Sequence, residues 1–164
     1  MFAKKRGLTI KAGPPVHDDL VKRKFTATRP NQLWLTDITE HRTDEGKLYL
    51  CAIKDVCSNT IVGYSIDSRM KASLAVAAAR NAIGQRTIDG TIPHSDRGLQ
   101  FRSNAFLRVL KNVLDRQRWA TREELRLAIV VWIERTYHRK RRQRRLGKLT
   151  PIEFETINVA LKAA

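Results

Sequence analysis

The sequence predicts an α/β fold, a sheet with helices packed on it, and three observations carry that reading. Three apolar, β-branched runs follow one another between Leu33 and Ile66, separated only by turn clusters. An alanine-rich stretch then takes helical spacing, from Lys71 to Arg86. A fourth short run, Ile92 to Ser95, precedes two further stretches of helical periodicity.

Each element has its own signal. Residues 1–30 are basic and aperiodic, with Lys4, Lys5, Arg6 and Lys11 ahead of the Gly13-Pro14-Pro15 break, and read as an arm or linker. Asp18 to Phe25 has room for one helical turn. Leu33 to Thr39 alternates as a strand, Thr43-Asp44-Glu45-Gly46 is a turn, and Leu48 to Ile53 is apolar on both faces, as a covered central strand should be. Ser58-Asn59 turns the chain into a third strand from Thr60 to Ile66, which completes an antiparallel meander. Leu74, Ala78 and Ala82 or Ile83 form the apolar face of the alanine-rich helix. Ser103 suits the cap of a helix carrying Phe106, Leu110 and Val113 or Leu114. Thr121-Arg-Glu-Glu124 is a capping-box pattern that opens a last helix with Leu125, Ile129 and Trp132 on one stripe.

Charge narrows the function classes. The 164 residues hold 32 Lys and Arg against 16 Asp and Glu, a net charge of +16. A domain this basic repels itself unless a polyanion neutralises it, so nucleic acid is the expected partner. Cys51 and Cys57 form neither a CxxC nor a Cys/His cluster, which leaves no zinc site or disulfide framework; Cys51 reads as a core thiol. With no 18-residue apolar stretch and no signal-peptide pattern, the expectation is a cytoplasmic protein with no membrane partner.

Two acids stand out. Asp37 lies mid-strand on the side of Leu33 and Leu35, where a carboxylate is costly to desolvate without a cation or hydrogen bonds. Asp96 follows the fourth strand, in His94-Ser95-Asp96-Arg97-Gly98, at the kind of strand end where ligands approach an α/β sheet. Two such carboxylates suit Mg²⁺, which takes one or two carboxylates together with water and phosphate oxygens. The spacing alone fits equally a turn cap at Asp96 and a satisfied core ion pair at Asp37.

The segments Trp34-Leu35-Thr36-Asp37-Ile38-Thr39 and His94-Ser95-Asp96-Arg97-Gly98-Leu99-Gln100-Phe101 resemble the integrase-core, or DDE, transposases of bacterial insertion sequences, in particular their second-frame product. The resemblance runs on through Asp55, Gly63-Tyr64-Ser65 and Leu149-Thr150-Pro151-Ile152-Glu153-Phe154, and covers roughly Phe25 to Glu155. It implies a ribonuclease H-like mixed sheet flanked by helices, Asp37 and Asp96 as catalytic acids holding Mg²⁺ or Mn²⁺, and phosphodiester strand transfer on insertion-sequence ends and target DNA. Self-association, or association with an intact transposase, is also implied.

The same resemblance exposes a departure. The family's third acid, a Glu roughly thirty-five residues past the second Asp, lies in a segment that has no counterpart here. Phe106 to Lys111 passes directly into Asn112-Val113-Leu114-Asp115-Arg116, which resembles family sequence beyond that Glu. The expectation is an internal deletion of roughly thirty residues near 111–112, far beyond ordinary loop variation, removing the fifth strand and the third acid. The fourth strand then becomes a sheet edge, where Pro93 is tolerated, and the core is at risk of underfilling. Glu123, Glu124 and Glu134 are poor substitutes: Glu124 reads as the capping partner of Thr121, and Glu134 as an acid offsetting its basic helix. The upstream helix-turn-helix region that the resemblance implies is likewise expected to be absent. Whether the chain is an active enzyme is thereby in question, with a non-catalytic nucleic-acid-binding remnant as the alternative.

The expected organisation is an arm at 1–30, the core at 31–138 and a basic tail at 139–164. In the tail, Arg139, Lys140, Arg141, Arg142, Arg144 and Arg145, with Arg97 beside the second acid, are the DNA-binding candidates. His138 falls at the edge of this tract and reads as facing solvent or phosphate; His94 reads as a packed or orienting histidine.

Overall fold

The computed structural model of the chain describes residues 24–95, 110, 112–114 and 116–163. The meander forms as expected and is longer than its apolar runs: β1 spans Leu33–Thr43, β2 Gly46–Asp55 and β3 Ile61–Asp67. Helix α1, Ala72–Gln85, leads to β4, Ile92–Ser95. Strand order is β3-β2-β1-β4, with β1 antiparallel to β2 and parallel to β4. This is the mixed sheet flanked by helices that was expected. Among the described residues it has four strands, and β4 is its edge.

Helices cover both faces. On one, Trp34, Cys51, Ile53 and Val62 meet Leu74, Ala78 and Ala82 of α1. On the other, Leu48, Leu50, Ala52 and Ile61 meet Leu110, Leu114, Leu125, Ile129 and Ile133. Within the predicted pairs, Ala82 is buried and Ile83 is 58% exposed, while Leu114 is buried and Val113 is exposed. Cys51 is fully buried, and burial, then the nearby Asp37 carboxylate, push its thiol up to about 11. Phe106 and the expected cap Ser103 lie outside the described residues, as does Asp18 through Arg23 of the expected helical turn.

Thr121 caps α2, Arg122–Val131, through a complete capping box with Glu124. The helix then widens into a π-helical segment, Trp132–Tyr137, that sequence periodicity does not reveal. Trp132, Ile133 and Tyr137 of this segment are buried, continuing the stripe of Leu125 and Ile129. Residues 139–163, expected as a tail, are folded: a 3₁₀ turn at Arg144–Leu146 and helix α3, Pro151–Ala163, follow the π segment. Buried Leu146 and Thr150 anchor this segment, so basicity here marks its surface and not a lack of structure.

Two features bear on the sheet edges. Asn81 Nδ2 donates to the Tyr64 carbonyl and an Arg126 guanidinium N–H to the Ile66 carbonyl, each at 2.8 Å, which blunts β3 as a template for further pairing. At the opposite edge, α1 packs on β3 and β2 and leaves an open cleft of about 460 Å³ over β1 and β4. Its lining includes Trp34, Ile53, Ala79, Ile83 and Pro93. Among the described residues, the buried Trp34 indole N–H has no hydrogen-bond partner. The cleft lies beside β4, the edge strand among the described residues.

Gly63 sets how closely α1 approaches. A Cβ there would stand 2.5 Å from the Ala78 carbonyl oxygen and 2.6 Å from the Ala82 nitrogen, both backbone atoms. Gly63→Ala must therefore push helix and strand apart. The expected cost is about 1–3 kcal/mol, read as a melting temperature roughly 2–10 °C lower for a domain of this size.

Candidate functional site

The site is built from the register of β1. Asp37 pairs with Ala52, and cross-strand partners share a face, so Asp37 projects on the side of Leu48, Leu50 and Ala52. Asp37 is half-buried, and its Oδ1 accepts the Ile38 N–H at 2.7 Å. On the other side of β1, Thr36 pairs with Ser95 in the last described rung of the parallel ladder. Asp37 is the next residue on β1, and Asp96 is the next in sequence after Ser95. Asp96 and Arg97 themselves lie outside the described residues. His94 is half-buried and packs edge-on against Phe25, with ring centroids 5.3 Å apart.

The three candidate substitutes for the third acid have other occupations. Glu123 is 83% exposed and pairs with Arg126. Glu124 completes the capping box, its carboxylate accepting the Ala120 and Thr121 N–H groups. Glu134 accepts the Tyr64 hydroxyl at 3.1 Å and faces His138 at 3.5 Å. Tyr64 is on β3, with β2 between it and the strand of Asp37. Among the described residues, no group of three or more His, Cys, Asp or Glu is arranged to hold a metal ion.

The basic tract divides. Arg142 donates to the Lys148 carbonyl and to Glu153, which ties it into the fold. Arg139, Lys140, Arg141, Arg144 and Arg145 are exposed. Arg139 and Lys140 directly follow the end of the π segment, and Arg144 and Arg145 lie in the 3₁₀ turn of the loop that the Gln143–Leu149 bridge closes.

Beneath the tract lies a polar network that sequence reading did not anticipate. The carboxylate of Asp55, fully buried, accepts the N–H groups of Asn31 and Ser58, both at 2.7 Å. The Ser58 hydroxyl lies 3.0 Å from Asp55 and 2.7 Å from Glu155, and Glu155 pairs with Arg86 at 3.0 Å. Asn59 donates to Gln143 and accepts at its carbonyl the Tyr137 hydroxyl, each at 2.8 Å. These partners are up to 97 residues apart in sequence, so no local pattern could signal them. The one available hint was a set of polar residues, Ser58, Asn59 and Thr60, in a short connection between two buried strands.

His138 belongs to this network. Expected at solvent or phosphate, it is 5% exposed, and its Nε2 accepts the Ile61 N–H at 3.0 Å. That acceptor role requires a neutral ring, with Nδ1 facing Glu134. Burial lowers its pKa; Glu134 and Glu155 act in the opposite sense, and Arg86 acts with burial.

Residues 27–122 match the family model described as the integrase core domain. The chain is 32% identical to the transposase for insertion sequence element IS629 of Shigella sonnei over 181 residues, 93% of this chain and 61% of that protein. It is 33% identical to transposase InsF for insertion sequence IS3A of Escherichia coli K12 over 178 residues, 90% of this chain and 62% of that one. The chain thus spans about three fifths of the length of these relatives. The IS629 alignment is also longer than the chain itself, so at least 17 of its positions (181 less 164) have no residue here. In fold, the chain is similar to the catalytic core domain of HTLV-2 integrase, solved with magnesium in a dimeric form. The TM-score is 0.52 and the identity 17%, over 79% of this chain and 97% of that one.

The state of His138 sets a pH dependence. In the unfolded chain its pKa is near 6.5, and in the folded protein it is lower. As pH falls, the unfolded state takes up the proton first, so stability is retained above about 6.5 and declines below it. Melting temperatures measured from pH 8 down to pH 5 should show this decline. In His138→Gln, whose amide oxygen can accept the Ile61 N–H without titrating, the decline should flatten; an unchanged slope would assign it to other groups.

Proposed function

The chain belongs to the integrase core domain family, and from that membership we propose that it is the core portion of an insertion-sequence transposase. In this reading it binds DNA and a divalent metal ion for phosphodiester strand transfer, but transfer is strongly impaired because a third acid is missing. The observation that carries the reading is the β1–β4 register. Its last rung, Thr36 with Ser95, is one step short of Asp37 and Asp96. One further step would set the two carboxylates side by side on one face.

The donor chemistry fits Mg²⁺ or Mn²⁺. Both candidate groups are carboxylates, with room left for water and phosphate oxygens. Bound there, such an ion supplies Lewis-acid activation of the phosphodiester. The chain's own contribution is placement. The rigid strand and the Ile38 N–H on Oδ1 fix the Asp37 carboxylate, and exposed Arg139, Lys140, Arg141, Arg144 and Arg145 hold phosphates by charge. Arg142 adds charge to the same surface while paired to Glu153; Arg97 follows Asp96 directly in sequence.

The unmatched positions of the IS629 alignment, together with the occupied roles of Glu123, Glu124 and Glu134, favour DNA binding without efficient transfer. We place the deletion near 111–112. Competition with an intact transposase for element ends is the second reading, and the same observations favour it. The dimeric form of the viral core supports self-association as part of the proposal. No helix among the described residues is long and apolar enough to cross a membrane, which agrees with a cytoplasmic site of action.

The test uses labelled element-end DNA with Mg²⁺ or Mn²⁺, and the variants Asp37→Asn and Asp96→Asn. Retention of DNA by all three proteins is expected, with joining roughly a thousandfold or more below that of an intact relative. Metal-dependent nicking or joining at the relative's rate, abolished in both variants, would show that another residue completes the site.

A further inference from the structure

An aromatic ring stands open beside the sheet face that carries Asp37. Phe25 is 36% exposed and belongs to none of the three core clusters of the described residues. Its ring meets His94 edge-on, with centroids 5.3 Å apart, and keeps surface open to solvent. The strand register identifies the face. His94 pairs with Leu35, and Asp37 is the second residue beyond Leu35, on the same side of β1. Two residues along a strand and one strand across is roughly 8 Å. Ala27, two residues after Phe25, packs with Leu33, Leu35 and Ile92 from that same side. Residues 25–27 therefore overlie the end of the face next to Asp37.

The chemistry around the ring suits nucleic acid. Lys24 and Arg29 are exposed on the same segment. In sequence, Lys22-Arg23-Lys24 runs directly into Phe25, with Lys22 and Arg23 outside the described residues. Cations by themselves hold phosphates and have no use for a ring, and a ring that served only packing would sit inside an apolar cluster. An open aromatic between cations offers both things a single-stranded nucleotide needs, a π face for its base and charge for its phosphates. A base inside a duplex is already stacked on its neighbours and cannot reach such a ring without being extruded. An unpaired base at a DNA end can. Stacking of this kind accepts any base, so it selects the state of the end and not its sequence.

We propose that Phe25 stacks an unpaired base at a DNA end, next to the phosphodiester addressed by Asp37, while Lys24 and Arg29 hold the adjoining phosphates. Phe25 is a positioning residue in this scheme: it steadies the end against the Asp37 face and takes no part in making or breaking bonds. The inference rests on the proposed DNA-binding function and deepens it, naming DNA with an unpaired end as the preferred substrate.

The test measures, by fluorescence anisotropy, the affinity of the full-length protein for three labelled DNAs: a blunt duplex, the same duplex with a short single-stranded overhang, and that overhang made abasic. Wild type, Phe25→Leu, Phe25→Trp and Leu161→Ala are compared, each checked by thermal melt. Leu161 is an exposed apolar residue on α3 and controls for loss of surface hydrophobicity. Wild type is expected to bind the overhang roughly five- to a hundredfold more tightly than its abasic counterpart. Phe25→Leu should lose that preference while its affinity for the blunt duplex and its salt dependence stay unchanged, since no phosphate contact is removed. Phe25→Trp and Leu161→Ala should keep it. If Phe25→Leu fails to fold, Phe25→Trp still decides, because its added indole emission must fall with the overhang DNA and not with the abasic one. Equal affinity of wild type for overhang and abasic DNA, a preference that survives in Phe25→Leu, or a loss in Phe25→Leu that is the same for all three DNAs would each overturn the stacking role and leave DNA binding standing. A wild type that binds none of the DNAs would overturn the proposed function itself.

Discussion

β1 is hydrogen-bonded on both sides, antiparallel to β2 over ten pairs and parallel to β4 over four. Everything of functional interest depends on that double pairing. Side chains alternate strictly along a strand, so a slip of one residue would send Asp37 to the α1 face and bring Ile38 to its place. The slip is opposed by burial on both sides of the sheet, with Trp34 packed toward α1 and Leu33 toward Val56. A carboxylate can therefore be held half-buried mid-strand because apolar neighbours above and below it fix the register. Stability on the two faces and placement of the acid are one constraint.

The fold was legible where its signals are local. Alternation and turn clusters located β1 to β4, and Thr121 to Glu124 announced a capping box that forms in full. Asp37 stood out as a charge interrupting an apolar alternation, and the register sets it on the face of Leu48, Leu50 and Ala52. What escaped was non-local or aperiodic. The π segment at Trp132–Tyr137 breaks the repeat on which helix reading relies. His138, in a basic run, looked like a surface residue, yet the Ile61 N–H it accepts comes from a strand 77 positions earlier. The 139–164 segment read as a tail because charge density hides the few residues, Leu146 and Thr150 among them, that bury it. Asp96 and Arg97 fall outside the described residues, so for them the reading rests on sequence and on the rung before them.

The buried network around Asp55 explains why a chain with so much positive charge keeps its C-terminal region docked. Asp55 satisfies two backbone donors, and Ser58 relays to Glu155, which is itself neutralised by Arg86. Buried polar groups are costly when unmatched and directional when matched, so such a network specifies one docking geometry where apolar packing alone would allow several. The exposed arginines are then presented at a fixed distance from the sheet, although repulsion among them would drive a free segment outward.

An internal loss of sequence is tolerated more readily at a sheet edge than at its centre, and this geometry shows why. Removing a strand beyond β4 leaves β1, β2 and β3, with the helices on both their faces, untouched. Among the described residues, an open cleft beside α1 and a Trp34 indole N–H without a hydrogen-bond partner lie next to that edge. The resemblance puts the family's third acid in the segment beyond that edge, whereas the proposed DNA-binding cations lie on the C-terminal segment. Under the proposed function, catalytic completeness and DNA affinity therefore reside in different parts of the fold, and the proposed deletion would remove the first while leaving the second in place.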